Sequence, residues 1–152
     1  MKKTRRFLAL VLTVITLMSV MAVTAFAASN HEDNPISSFS INFFGFKQLD
    51  PDTKLNSTPL YLYITNGSRT TVQVTARGCD SLGENPADLT IANKTLVDYV
   101  TCKVGEKYLI QSLINERGYT YCTLGIKSPN VLGDTVKGYW SPDSVGEYQY
   151  AT

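Results

Sequence analysis

Carboxylates, one histidine and three cysteines are the residues of this chain that could make or break bonds. A Ser-His-Asp type of triad uses an imidazole as the base that takes and returns the proton. The single histidine, His31, lies in the polar stretch Ser29–Pro35, which reads as a flexible lead-in. The chain has no G-x-S-x-G, no H-E-x-x-H, no phosphate-binding glycine loop and no paired C-x-x-C. General acid–base work on a glycosidic bond would need two carboxylates facing each other, with Asp98, Glu106, Glu116 and Asp143 as candidates. Glu116 stands out because it follows the apolar run Leu113-Ile114 and precedes Gly118, although a turn carboxylate capping backbone N–H groups has the same pattern. Asp50 and Asp52 could help clip a calcium ion, but turn aspartates look the same, so no metal and no cofactor is expected.

Aromatic residues are the stronger lead. In Leu60-Tyr61-Leu62-Tyr63-Ile64 the apolar residues alternate with tyrosines, so Tyr61 and Tyr63 point away from the core face. Tyr121 and Trp140 belong to later strands with similar patterns. Outward rings on a sheet can stack on sugars or anchor a protein partner, and they can equally be cross-strand pairs that stabilise the sheet. The binding candidates are therefore Tyr61, Tyr63, Tyr121 and Trp140.

The elements that hold these residues follow an N-terminal leader. Lys2, Lys3, Arg5 and Arg6 precede an apolar run from Phe7, which ends in the small-residue signature Ala25-Phe26-Ala27. That order marks residues 1–27 as a signal peptide cut after Ala27 and predicts secretion; an uncleaved membrane anchor is the rival reading. The full chain carries 14 Lys+Arg and 13 Asp+Glu. Without the four basic residues of the leader, 10 basic residues face 13 acidic ones, a formal charge of −3. With no basic cluster, nucleic acid is not an expected partner, and the membrane enters only through the leader. A cell-wall glycan or an extracellular protein is the expected class of partner.

Export permits disulfides, and Cys79, Cys102 and Cys122 allow three single pairings. Cys79–Cys102 is favoured, because Cys122 lies within an apolar alternation and reads as a small buried hydrophobe. After the lead-in over 28–37, strand patterns cover 38–43, 60–65, 70–77, 89–92, 95–102, 108–114, 119–126 and 135–140. A bulge is expected near Phe43–Gly45, and Asn66-Gly67 predicts a tight hairpin between two of these strands. Val104–Lys107 reads as another hairpin connection. Residues 108–114 could also carry a helical stripe, but the β context favours a strand. About eight short strands with no long helix predict an all-β, single-domain antiparallel β-sandwich over 38–152.

The segment Asn115-Glu116-Arg117-Gly118-Tyr119, then Leu124-Gly125, then Gly138-Tyr139-Trp140-Ser141-Pro142-Asp143-Ser144-Val145-Gly146, resembles small exported proteins of Gram-positive, Clostridium-like bacteria. The resemblance covers roughly residues 104 to 148. It implies a secreted single domain and assigns no activity and no site residue. The expected function is a secreted, non-catalytic binding or interaction module. A carboxylate-dependent cell-wall hydrolase and a bacteriocin-like antagonist are the alternatives.

Overall fold

A computed structural model describes residues 29–41, 45–128 and 134–152. The leader, most of the expected bulge at Phe43–Gly45 and the break over Pro129, Asn130 and Gly133 lie outside the described residues. In chain order the strands are β1 (Asn34–Ile41), β2 (Phe46–Gln48), β3 (Asp52–Thr53), β4 (Leu60–Gly67), β5 (Thr71–Cys79), β6 (Ala87–Asp88) and β7 (Thr90–Ala92). They continue with β8 (Thr95–Leu96), β9 (Val100–Lys103), β10 (Lys107–Ser112), β11 (Tyr121–Lys127), β12 (Asp134–Ser141) and β13 (Gln149–Tyr150). The first sheet runs β1-β12-β4-β10-β7-β8, with the short β13 beside β10. The second runs β2-β11-β5-β6, with β3 on β11 and β9 on β5. The described residues are all-β without a helix, and the two sheets pack as a sandwich.

Side-chain alternation decides which face is buried. Leu60, Leu62 and Ile64 of the first sheet meet Val72, Val74, Ala76, Leu124 and Ile126 of the second in one core, all at 1% exposure or less. Each of these Leu, Ile and Val side chains contributes about 1.5–3 kcal/mol by leaving water. Residues 107–112 form a strand, as the β context suggested. The helical tendency survives just beyond it as a single turn. There Arg117 N donates to Leu113 O and Gly118 N to Asn115 O, and Gly118 adopts a φ of 83°.

Two expected hairpins are instead crossings between sheets. β4 pairs with β12 and β10, whereas β5 pairs with β11, β9 and β6. Asn66 and Gly67 remain in β4, opposite Lys137 and Val136, and neither has the positive φ that a type I′ turn requires. The chain leaves β4 through 68–70 to enter the other sheet. Likewise β9 pairs with β5 and β10 with β4, so 104–106 also connects the two sheets, with Gly105 at φ 88°. The tight turn that does join neighbours is Asn93-Lys94, both at positive φ, between β7 and β8.

The expected lead-in is more ordered than its composition suggested. β1 starts at Asn34, and Asn30 is fastened before it: its backbone N–H donates to Asp143 Oδ2 at 2.8 Å.

Cys79 and Cys102 cannot bridge in this fold. Cys102 sits opposite Val72, seven residues along β5 from Cys79. At about 3.3 Å per residue they stand roughly 23 Å apart, against a limit near 7 Å between the Cα atoms of a disulfide. All three cysteines are free and buried. Cys122 lies opposite Gly78, one register step from Cys79, so alternation sends those two thiols to opposite faces.

Candidate functional site

The outer face of the first sheet carries a group of converging rings. Tyr61 and Tyr63 of β4 point there because Leu60, Leu62 and Ile64 take the core side. Tyr139 of β12 lies directly opposite Tyr63, and Lys107 of β10 flanks Tyr63 on the other side. The segment after Pro142 folds back and sets Tyr148 on Tyr61, ring centroids 5.3 Å apart at 44°. The Lys107 ammonium lies 5.5 Å from the Tyr63 ring centroid and 5.4 Å from that of Tyr148.

Tyr61 is the floor of this strip, only 8% exposed. Its phenol is pushed up to about 12, first by burial and then by the charges of Asp33, Tyr148 and Tyr63. Tyr139 and Tyr148 are the exposed rings, at 41% and 36%. A small pocket of about 150 Å³ opens at the Tyr148 end, lined by His31, Asp33, Tyr61, Lys107, Ser144 and Tyr148 among others. This surface offers apolar ring faces, the Lys107 ammonium, the His31 imidazole and the Asp33 carboxylate, with Asp143 also in the pocket lining.

A buried ion pair holds Tyr148's segment in place. Lys54 Nζ donates to Asp143 Oδ1 at 2.8 Å, with the two side chains 1% and 0% exposed. The same ammonium donates to Thr58 O at 2.6 Å and Pro142 O at 2.7 Å, so its three protons all have acceptors. Asp143 Oδ2 accepts from the backbone N–H groups of Asn30 and Leu55. Ser141 Oγ donates to Asp143 O, and His31 Nδ1 lies 3.3 Å from that same oxygen. The Ser141-Pro142-Asp143-Ser144 segment is thus a buried clasp joining the N-terminal stretch, the 54–58 loop and the end of β12.

The predicted binding residues fall in three places. Tyr61 and Tyr63 share the strip. Tyr121 belongs to the second sheet, opposite Cys79 and Thr53. Trp140 is 2% exposed in the core, because its alternation partners are Val136 and Gly138. It lines the inner end of a cleft of about 490 Å³ between β1 and the 47–51 stretch. Tyr148 and Lys107 were not singled out by the sequence reading. Tyr139 carried a readable signal, since a buried Trp140 implies an outward neighbour.

The four carboxylate candidates fall in different surroundings. Glu116 is exposed on a turn and lines a groove of about 400 Å³ that holds no second carboxylate. Glu106 accepts from Tyr108 Oη and Gln149 Nε2, and these two bonds, with Lys103 nearby, hold its carboxyl below the usual range, the reverse of what a general acid requires. Asp52 is occupied by Asn34 Nδ2 and by the N–H of Thr53. No three His, Cys, Asp or Glu side chains converge as a metal site among the described residues.

A family model for a protein of unknown function, DUF2712, matches residues 22–144. The chain belongs to that family. The matched range takes in both halves of the sandwich and the Lys54–Asp143 clasp, well beyond the 104–148 stretch on which the resemblance rested. No curated protein and no solved structure matches the DUF2712 chain.

Proposed function

We propose that this DUF2712 protein is an exported, non-catalytic binding module of a Gram-positive bacterium, and that its contact surface is the tyrosine strip of the first sheet. The supporting observation is the continuity of Tyr63, Tyr139 and Tyr148 around Lys107, with Tyr61 beneath them. The best-fitting partner is a cell-wall glycan, because exposed ring faces beside hydrogen-bonding groups match the alternating C–H and hydroxyl surfaces of sugars. Glu106 and Asp143 are held by hydrogen bonds, and Glu116 faces no second carboxylate in its groove, which favours binding over hydrolysis at these positions.

The test is co-sedimentation of the mature protein with insoluble cell-wall material. Replacing Tyr139 and Tyr148 together by Ala should weaken retention at least tenfold while leaving the fold intact, as both rings are exposed. Equal retention of the double variant, or no retention of the parent protein, overturns the reading.

A further inference from the structure

A second, separate feature lies on the outer face of the other sheet. Phe46 of β2 and Tyr99, just before β9, are 48% and 47% exposed. They line one pocket of about 220 Å³ whose floor is Gly125 of β11 with Gln73 and Thr75 of β5. Two strands, β11 and β5, lie between the elements that bear the two rings.

This slot is built, not incidental. Gly125 has no side chain where one would strike Phe46: a Cβ there would sit 2.3 Å from Phe46 Cε2. The phenyl ring can therefore lean over bare backbone. The Arg77 guanidinium stacks on that ring at 5.0 Å from its centroid. Arg77 also donates to Gln48 Oε1 at 2.8 Å and to Asp88 Oδ1 at 2.7 Å. One cation thus fixes the aromatic wall and neutralises one of the two carboxylates in the slot. The other, Asp98, and the Lys127 ammonium have no ion-pair partner among the described residues.

We infer that this slot binds a single neutral pyranose ring, the unit or end group of a glycan. Four features select that class. The walls are aromatic, matching the C–H faces of the sugar. The far side offers Gln73, Asp98 and Lys127, a mixed set of donors and acceptors that matches a rim of hydroxyls, while the Thr75 hydroxyl is engaged by Thr90 and Asp88. The charges of Arg77 and Lys127 balance those of Asp88 and Asp98, so a charged ligand gains no net attraction. At about 220 Å³ the space falls below the roughly 300–1,000 Å³ of sites for larger ligands. The inference does not depend on the tyrosine strip, which occupies the other sheet.

Amide spectra of the isotope-labelled protein test it, with glucose, galactose, mannose and N-acetylglucosamine each added at tens of millimolar. At least one sugar should shift Phe46, Gln73, Tyr99 and Gly125 saturably. Tyr99→Ala should weaken that binding about tenfold and Asp98→Asn about threefold. Tyr139→Ala should leave it unchanged, which separates this site from the strip. The inference is overturned if no sugar in the set moves these amides, if Tyr99→Ala binds as well as the parent, or if tetramethylammonium fills the slot while the sugars do not.

Discussion

Lys54 and Asp143 illustrate what a buried charge requires. Each is stripped of water, and each is repaid with hydrogen bonds from loops far apart in sequence. Lys54→Met leaves a buried carboxylate without its cation, and a loss of about 3–5 kcal/mol is expected in denaturant unfolding. The double variant Lys54→Met with Asp143→Leu should lose less than the sum of the two single variants, because no unpaired charge remains. Tyr61 and Cys102 give a second expectation. Both groups are raised to about 12, led by burial, so the folded protein keeps their protons longer than the unfolded chain does. Their stabilisation is complete below the ordinary ionisation range of each group and is lost as pH climbs toward 12. A denaturant series across alkaline pH should show stability falling in that window. Asp33→Asn should bring the Tyr61 phenol down, as seen by phenolate absorbance.

Period-two patterning made the inner faces of the strands readable. Leu60, Leu62 and Ile64, and Val72, Val74 and Ala76, line the core where alternation put them. Strand partners were not readable, because pairing is non-local: β1 joins β12, and β4 joins both β10 and β12. Asn66-Gly67 misled because its hairpin preference is local, whereas burying Ile64 and Val72 on two facing sheets is a tertiary gain that overrides it. The bulge in this region lies between β4 and β12, where the register shifts between Lys137 and Gly138 and Thr65 is the extra residue. Gly138 is essential there. A Cβ would stand 2.2 Å from Tyr63 O and 2.9 Å from Ile64 Cα, both backbone atoms with no room to yield. Gly138→Ala should therefore cost about 3 kcal/mol and disturb Tyr63 and Tyr139 together, which a thermal melt and aromatic spectra would register.

Across the whole molecule, the two sheets share a sealed interior and present two different outer faces. The seal makes a thiol experiment informative. Cys102 and Cys122 belong to the core, and burial pushes both thiols well above their usual range. Cys79 is also buried and its thiol also raised. Native protein should therefore react with thiol reagents only at the rate of opening, and its mass should be the same reduced and unreduced. A thiol that labels at once, or a mass lower by two hydrogens when unreduced, would contradict the packing described. The clasp fixes the C-terminal segment over the first sheet and so completes the strip; sequence alone left Tyr148 in a featureless tail, since only the folded chain brings it to Tyr61.

The most direct measurement is a map of tyrosine ring resonances as soluble cell-wall fragments are added. The binding-module account expects broadening or shifts at Tyr63, Tyr139 and Tyr148, with the Lys107 side chain moving alongside them and Tyr121 silent. Unchanged rings on the first sheet, with perturbation centred on the groove beside Glu116, would contradict it.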